Sequence, residues 1–359
     1  MTAHRRASGR SRVIILSVVA GLVIVAAGTA LAATLITRPG HRHPAASGRA
    51  PSPGQTVSQP PSAIAPAQPT SKKVARCTGQ SSLCGAYPDA TNTGVPAGMK
   101  LLAVPGQVSK GPGWYYDPRG WVEVDGDGAV LEGLSIPYNV DVTGSDVTIK
   151  DDAIRVTGNS FGVSLRHTHD VTIEDSDIYG GNTGSERLME GIKDIFGNCS
   201  GTRVLGNNIW YTDTGIQIYG GLIQNNYIHD MGYISGDHIN GITSNGSTTP
   251  LTIKHNTILV DRSQTDAIGL FEDFGVEANV LIIDNLLAGG GYTIYGGQNP
   301  GGPASYNIRI INNLISRAYY AQGGYFGPAT AFNPGGSGNV WSGNVWFGGA
   351  GAISAPSNN

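Results

Sequence analysis

The sequence is poor in cysteine, with three in 359 residues. Three cysteines are too few for a disulfide scaffold, so a buried core has to hold the fold together. Cys77 and Cys84 are close enough in sequence to close a short loop where the folded domain begins, and we expect a disulfide between them. Cys199 is then left without a partner, and we expect it to be a small buried residue.

Acidic residues are missing from the first 76 positions, which carry ten of the 23 Lys and Arg residues. The remainder has 13 basic residues against 26 acids, a net charge near −13. A domain this acidic is a poor partner for nucleic acid or anionic membranes, which are bound through Lys and Arg. The charge also disfavours polyuronate substrates unless Ca²⁺ bridges them; calcium is the one cofactor considered, and we expect a monomer.

The basic N-terminus precedes a long uncharged segment, residues 13–36. Its 24 mostly apolar residues are long enough to cross a hydrocarbon core of ~30 Å. Residues 1–37 are therefore either an uncleaved membrane anchor or a signal peptide cleaved after Ala30-Leu31-Ala32. Because the basic residues keep the N-terminus in the cytoplasm, both alternatives place the remainder outside the cell.

Residues 38–76 contain eight of the 20 prolines, with Ser, Ala, Gln and Gly between them. This composition cannot bury enough apolar surface to fold, which predicts a disordered spacer. The folded domain is predicted to span residues 77–350, followed by a tail at 351–359.

Helical periodicity is absent from the folded domain, and a repeat takes its place. An apolar residue, two variable positions, Asn or a substitute, one variable position and a second apolar residue recur nine times. The copies begin at Leu131, Ile149, Ile173, Val204, Ile223, Ile253, Ile282, Ile310 and Trp341, with spacings of 18 to 31 residues. The shortest spacing approximates one turn of a β-solenoid, and longer spacings add a loop.

The polar residue of each copy suits a tight bend, because Asn tolerates the left-handed conformation and bonds its own backbone. Stacked on neighbouring turns, such residues form a side-chain ladder. A second strand lies between the copies, as in Gly215-Ile-Gln-Ile218. Blade-like units of about 40 residues and the leucine-rich rhythm are both missing, which excludes a propeller and a leucine-rich repeat. The sequence predicts an all-β fold, a single parallel β-helix of about nine turns.

With these repeats, the sequence resembles the pectate-lyase-like superfamily of right-handed parallel β-helix proteins. Its segment Pro88 to Gly98, PDATNTGVPAG, resembles the opening of a group of exported actinobacterial β-helix proteins. The resemblance covers residues 85–350 and implies a right-handed solenoid. It implies no one activity, since the superfamily includes lyases, hydrolases, epimerases, esterases and non-catalytic adhesins.

The motifs of the best-known active families are absent. The acid pattern of polygalacturonase-type hydrolases does not occur, and neither the calcium-binding acids nor the catalytic arginine of pectate lyases has a clear counterpart. No catalytic set therefore transfers to this sequence, and candidates have to come from the residues themselves.

Aligning the second strand on its isoleucines places polar residues in two rows, because equivalent positions on neighbouring turns stack ~4.8 Å apart. The rows are Glu190, Thr214, Asn240, Asp266 and Lys193, Gln217, Thr243, Gly269. Loops beside them supply further polar and aromatic groups. The residues predicted to bind substrate are Arg187, Gln217, Asn240, Tyr219, Phe271, Glu272 and Asp273.

The predicted catalytic residues are Asp237, His238, Asp266, Lys193 and Glu190. Asp237 and Asp266 come from adjacent turns and form a carboxylate pair if their loop folds inward, whereas Glu190 lies three turns from Asp266, roughly 14 Å away. Alternatively, Asp237 orients His238 as a general base, with Lys193 or Arg187 as the cation of a lyase. Each residue also has a purely structural interpretation as a loop or bend hydrogen-bonding group.

Two further motifs carry weaker signals. His167 and His169 lie on one face but are an incomplete zinc site, and we assign no metal ligand. Trp341 and Trp346 are expected to cap one end of the stack, and residues 88–114 the other.

The sequence thus predicts an extracellular carbohydrate-active protein, a polysaccharide lyase or glycoside hydrolase whose polysaccharide lies along residues 187–273. The alternative is a non-catalytic surface module that binds a glycan or the cell wall.

Overall fold

Three short strands follow one another in each turn of the chain, and each strand pairs in parallel with the equivalent strand of the next turn. The computed structural model describes residues 86–349 and 351–356. The only helical element in these residues is a short 3-10 helix at Gly184–Glu186. The predicted all-β fold, a single parallel β-solenoid of about nine turns, is confirmed.

The strands form three sheets along the solenoid, here named A, B and C. Sheet A contains β1 Leu102–Ala103, β6 Leu134–Ile136, β9 Ala153–Arg155, β12 Asp177–Tyr179, β15 Asn208–Trp210, β18 Tyr227–His229, β21 Thr257–Val260, β24 Leu286–Gly289, β27 Leu314–Ser316 and β30 Val345–Trp346.

Sheet B contains β2 Lys110–Gly111, β3 Trp114–Asp117, β4 Trp121–Val124, β7 Asn139–Val142, β10 Gly158–Leu165, β13 Leu188–Asp194, β16 Thr212–Gln217, β19 Asn240–Ser244, β22 Asp266–Leu270, β25 Tyr292–Gly296 and β28 Gly327–Thr330. Sheet C contains β5 Val130–Glu132, β8 Thr148–Lys150, β11 Thr172–Glu174, β14 Arg203–Leu205, β17 Gly221–Gln224, β20 Leu251–Lys254, β23 Ala278–Ile283, β26 Tyr306–Ile311 and β29 Val340–Ser342. Strands β2, β3 and β4 pair in antiparallel fashion.

The core is a set of stacked Ile, Val and Leu side chains that point into the solenoid from all three sheets. In the three strands of one turn, Ile216, Ile223 and Ile228 are fully buried. Branched aliphatic residues suit a strand surface because they pack well against their neighbours above and below. Burying each such side chain contributes about 1.5–3 kcal/mol, so the stack supplies most of the driving force for folding.

A ladder of polar side chains lies at the bend between sheets C and A. Each backbone N–H in the ladder donates to the side-chain oxygen of the next member, over 2.9 Å from Asn226 to Asn256 and 3.0 Å from Asn285 to Asn313. The members are Asp152, Ser176, Asn207, Asn226, Asn256, Asn285, Asn313 and Asn344, all essentially unexposed. The predicted ladder is confirmed, and it satisfies buried backbone groups at every turn.

The left-handed backbone conformation belongs to the residue before each ladder member, which corrects the sequence prediction. Asn225, His255 and Asp284 have φ of 65°, 50° and 58°. The ladder asparagine is held instead by its inward amide, as when Asn256 Nδ2 donates to Ile223 O over 3.1 Å. The bend is therefore a pair of residues, one that reverses the chain and one that fills the corner.

Residues 88–114 were expected to cap the start of the solenoid, but the part of this segment before β1 runs along the solenoid instead. Val104 and Trp114, in the remainder of the segment, are buried against the core. The Tyr87 hydroxyl donates to Asp284 over 3.0 Å, and its ring stacks on His255 at 5.0 Å. Gly94 N then donates to Gly206 O over 2.8 Å, several turns closer to the start. The segment straps the sheet C–sheet A corner from outside before β1 pairs with β6.

The C-terminal end of the core is covered by aromatic side chains. Phe332 is 1% exposed and packs against Trp341, with ring centroids 5.6 Å apart. Trp341 and Trp346 are both partly buried against the core, and the Trp341 indole donates to Ile353 O over 2.7 Å. These contacts agree with the predicted capping of this end.

Several sequence predictions fall outside the described residues. The membrane anchor or signal segment, the Pro-rich spacer and the Cys77–Cys84 disulfide all lie before residue 86. Within residues 86–349 and 351–356, no helix has the length and apolar character needed to cross a membrane. Cys199 is buried, as expected.

Replacing Asp152 with Asn should stabilise the protein at neutral pH. Burial raises the pKa of this ladder carboxyl to about 8. Between pH ~4 and ~8 the folded state holds a proton that the unfolded state has released, so stability falls as the pH rises through this window. An amide keeps the bond from Leu134 N without titrating. We expect Asp152→Asn to raise the free energy of unfolding by about 1–2 kcal/mol at pH 7 and less at pH 4.

Urea denaturation at both pH values measures this difference. The matched variant Asp152→Ala loses the 2.7 Å bond from Leu134 N and should be destabilised at both. Equal stability of wild type and Asp152→Asn across pH 4–8 would show that this carboxyl is not held protonated.

Candidate functional site

The outer face of sheet B carries the two polar rows that the sequence predicted. Glu190 pairs in register with Thr214, Thr214 with Asn240, and Asn240 with Asp266. The second row, Lys193, Gln217, Thr243 and Gly269, is likewise in register. The alignment is confirmed because fully buried isoleucines such as Ile192 and Ile216 fix the register, and the neighbouring positions follow.

A buried arginine organises one edge of this face. Arg187 precedes β13, and its side chain is 3% exposed. Its Nε and Nη2 donate to the two carboxylate oxygens of Asp237, each over 2.7 Å, while Nη1 donates to Asn159 Oδ1 over 2.9 Å. Such a two-point ion pair fixes the orientation of both planar groups. It fastens the loop before β19 to the turn that carries β13.

Asp213 lies next to this ion pair, with Oδ2 3.9 Å from Arg187 Nη2. Its other oxygen, Oδ1, is buried and accepts no hydrogen bond. Burial, reinforced by the negative charge of Asp237, raises the pKa of Asp213 to about 7, although Arg187 opposes the shift. A carboxyl group with a pKa near neutrality is suited to proton transfer.

Glu190 and Lys193 form a second ion pair on the same face. Lys193 Nζ donates to Glu190 Oε1 over 3.0 Å and also to Gln217 Oε1. Glu190 Oε2 is buried and accepts no hydrogen bond. Burial raises the pKa of Glu190, and the charge and hydrogen bond of Lys193 oppose that effect. The structure therefore brings together three of the predicted site residues.

Asp237 and His238 are not arranged as a carboxylate–imidazole pair. Both oxygens of Asp237 bond to Arg187, and Oδ2 also accepts the backbone N–H of Ile234 over 2.8 Å. Although burial opposes it, these bonds hold the pKa of Asp237 below its ordinary value. His238 is exposed, and its backbone carbonyl accepts a bond from Asn240. Asp237 is thus committed to Arg187 and does not orient an imidazole.

Asp266 is fully buried, and neither of its carboxylate oxygens has a hydrogen-bond partner. Its carboxylate lies over Gly269, where an added Cβ would be 2.5 Å from Asp266 Oδ2 and from Phe271 Cε2. Burial alone raises the pKa of Asp266 well above its ordinary range, with no contribution from Asp237. The predicted Asp237–Asp266 pair is therefore not formed.

The remaining predicted substrate-binding residues differ in accessibility. Asn240 is half-buried and donates to Thr214 Oγ1 over 3.2 Å, whereas Tyr219 is buried and accepts from Gln217 Nε2 over 3.4 Å. Phe271 is half-buried and packs against Tyr295 at 5.2 Å. Glu272 accepts the backbone N–H of Asn299 over 2.8 Å, and the neighbouring Asp273 is exposed. Tyr219 thus presents little surface to a ligand, while Phe271 contributes to an aromatic cluster.

That aromatic cluster covers the far end of the sheet B face. Tyr292 packs against Tyr295 and Phe326, with ring centroids 5.7 Å apart in each case. Phe326 is 54% exposed. Exposed rings of this kind offer apolar faces on the same surface as the polar rows.

A cavity of about 210 Å³ opens beside Arg187, between the loops that lead from sheet A to sheet B. It is lined by the 181–184 loop, Arg187, Tyr211, the 230–233 segment, Asp261 and Arg262. Tyr233 is 45% exposed, and the Arg262 guanidinium lies 5.7 Å from the centre of its ring. Polar groups and one accessible ring therefore converge beside Arg187.

A cluster able to ligate a metal lies elsewhere, at the bend between sheets B and C. Asp146, His169 and Asp170 bring their ligand atoms within 4.8 Å of one another, and all three residues are exposed. His167 stacks on Phe196 at 4.3 Å and does not join this cluster. The predicted histidine pair is thus separated.

Sequence reasoning did not select Asp213 or Asn159 as site residues. Asp213 precedes Thr214 of the first polar row, so the register placed it near Glu190, but nothing in the sequence showed that it would be buried. The charges beside it belong to Arg187 and Asp237, which are 50 residues apart in the chain. Asn159 enters the site only through its bond to Arg187.

Comparisons with known proteins add no assignment. No protein-family model matches the chain, and neither a curated protein nor a solved structure matches it.

Replacing Asp237 with Asn should lower the pKa of Asp213 from about 7. The substitution removes a negative charge that raises this pKa and leaves Arg187 free to stabilise the ionised form of Asp213. Carboxyl ¹³C titration by NMR of protein labelled at aspartate measures the shift. Asp230→Asn, a change at the same cavity, should leave the Asp213 titration in place. An unchanged Asp213 pKa in Asp237→Asn would contradict the described coupling.

Proposed function

We propose that the outer face of sheet B binds a polysaccharide and that Asp213 and Glu190 catalyse hydrolysis of a glycosidic bond. The observation that carries this proposal is the position of two largely buried carboxyl groups on adjacent turns, each beside a cation. Asp213 lies 3.9 Å from Arg187, and Glu190 lies 3.0 Å from Lys193. Each side chain keeps a small exposed part, 12% for Asp213 and 13% for Glu190, through which a substrate reaches it.

The spacing of the two carboxyl groups suits this chemistry. Glu190 is in register with Thr214 of the neighbouring strand, and Asp213 is the residue before Thr214. Adjacent strands of a sheet are ~4.8 Å apart. Glycoside hydrolases use two carboxyl groups separated by ~5–5.5 Å for retention or ~6.5–9.5 Å for inversion. The distance between adjacent turns is thus similar to the distance between the two carboxyl groups of a glycoside hydrolase. Glu190 and Asp266, three turns apart, are too distant to form such a pair.

The two environments favour different roles. Asp213 holds its proton up to near neutral pH, since its pKa is about 7. It is the group that protonates the glycosidic oxygen of the departing sugar. Glu190 is stabilised as a carboxylate by Lys193, and it activates water or attacks the anomeric carbon. Arg187 and Asp237 position Asp213 and touch no reacting atom.

The fold and the sequence resemblance support a carbohydrate substrate. Parallel β-helices of the pectate-lyase-like superfamily, which the sequence resembles, include hydrolases that act on long glycans lying along a sheet face. The sheet B face offers a comparable linear surface, with the carboxyl pair near its middle and exposed aromatic rings near its C-terminal end. We place the domain outside the cell, because the basic residues and apolar segment before it match an export signal or anchor.

Asp213→Asn should abolish cleavage while leaving glycan binding intact. An amide cannot donate the proton that the leaving group needs, and loss of a general acid typically reduces the rate by 10²–10⁴-fold. Reducing-end release from a polysaccharide panel, with and without Ca²⁺, measures the rate. In the wild type, activity should fall as the pH rises through about 7, because Asp213 then loses its proton.

The control for that experiment is Asp146→Asn, an exposed position at the bend between sheets B and C that should retain full activity. Undiminished cleavage by Asp213→Asn would refute the assignment of the acid. Glycan binding by the wild type without product, unaffected by Asp213→Asn, would favour the non-catalytic binding module instead.

A further inference from the structure

We infer that the glycan accepted by the sheet B face carries no acidic groups. This inference rests on the proposed function and specifies the substrate class of the same site. It follows from how the cations on this face and in the adjoining cavity are already engaged within the protein.

Each cation at the site has a carboxylate partner. Arg187 is 2.7 Å from Asp237, Lys193 is 3.0 Å from Glu190, and Arg262 is 3.6 Å from Asp261. Further along the face, Arg166 Nε donates to Asp141 Oδ1 over 2.7 Å. A uronate or sulfate on a sugar would have to displace one of these carboxylates to gain a salt bridge.

Displacement is least favourable at Arg187, which lies 3.9 Å from Asp213. Arg187 makes three hydrogen bonds to Asp237 and Asn159, and its side chain is 3% exposed. Removing one partner from a buried, hydrogen-bonded ion pair leaves an uncompensated charge. The guanidinium is therefore a structural clamp and not a receptor for an anionic substituent.

The cavity beside Arg187 is lined by additional acids. Asp230 and Asp261 both face it, and the Asp230 side chain is 67% exposed. A hydrogen bond from His229 lowers the pKa of Asp230, which is therefore ionised at neutral pH. An acidic sugar entering this cavity meets like charges at short range, which opposes binding.

Besides these acids, uncharged groups are available to a ligand. Tyr233 presents an exposed ring at the cavity, and the half-buried Asn240 presents part of its amide along the face. Tyr292 and Phe326 add apolar rings at the far end. Hydroxyl-rich sugars are recognised by such amide groups and ring faces. Since β-elimination of a polysaccharide needs a carboxylate next to the cleaved bond, an uncharged substrate also favours hydrolysis.

Matched polymers test this inference. Polygalacturonate and polymannuronate are each compared with their carboxyl-reduced forms, which keep the linkage and lose the charge, alongside a panel of uncharged plant and microbial glycans. Binding is measured by affinity electrophoresis of the purified protein and cleavage by reducing-end release. We expect the uncharged member of any recognised pair, or uncharged glycans of the panel, to bind at least tenfold more tightly than any uronate.

A variant that lacks one acidic residue of the cavity tests the inference independently. Asp261→Asn leaves Arg262 without its carboxylate and removes one acid from the cavity wall, so the discrimination against uronates should shrink several-fold. Added NaCl should weaken that discrimination in the wild type, because it screens the repulsion.

The outcomes separate the two proposals. Uronates bound or cleaved as well as their reduced forms would overturn the inference and leave hydrolysis by Asp213 and Glu190 standing. Preferential binding of uncharged glycans without cleavage would support the inference and refute the hydrolase. Binding to no uncharged glycan would overturn the inference.

Discussion

The ladder of side-chain oxygens at the sheet C–sheet A corner is the constraint on which the rest of the structure depends. Each ladder residue accepts the backbone N–H of the preceding member, from Leu134 N donating to Asp152 through to Asn313 N donating to Asn344. This bend consists of two residues in every turn, from the bend between β8 and β9 to the bend between β29 and β30. With one corner invariant, the spacing of successive turns can vary from 18 to 31 residues without loss of register. The added residues have to leave the solenoid at the other two corners.

The proposed site lies at one of the two corners that carry loops, the corner between sheets A and B. The loops before β13 and β19 both lie between sheets A and B, and they meet through Arg187 and Asp237. Their ion pair lies beside Asp213, and the charge of Asp237 adds to burial in raising the pKa of Asp213. A contact between loop residues 50 apart in sequence thus acts on the proton affinity of a strand residue. The same burial costs stability, because a carboxyl group is favoured in water as the ion. A fold with a large stacked core tolerates several such groups, and Asp266 and Glu277 are others.

The solenoid and its polar rows were predictable from the sequence because both depend on short-range periodicity. Once Ile192, Ile216, Ile242 and Ile268 are assigned to the interior, the pleat of the strand places the adjacent Lys193 on the outer face. Strict alternation would put Glu190 on the same face as Ile192, whereas the structure has it bonded to Lys193. Loop conformations are not periodic, so the partner of Asp237 was predicted wrongly as His238 or Asp266. The burial of Asp266 escaped prediction for a related reason, since the rings that accompany it come from the loop after β22 and from later turns. The strap formed by residues 87–94 follows no repeat at all, and its contacts with Asp284 and Gly206 could not be predicted.

A crystal structure of the Asp213→Asn protein with a bound oligosaccharide tests the central claim most directly. We expect a sugar chain along the outer face of sheet B, with a glycosidic oxygen within hydrogen-bonding distance of residue 213. Glu190 should face the anomeric carbon of the same linkage, and the Arg187–Asp237 ion pair should be intact. An oligosaccharide bound across another sheet, or one that breaks this ion pair to reach Arg187, would contradict the central claim.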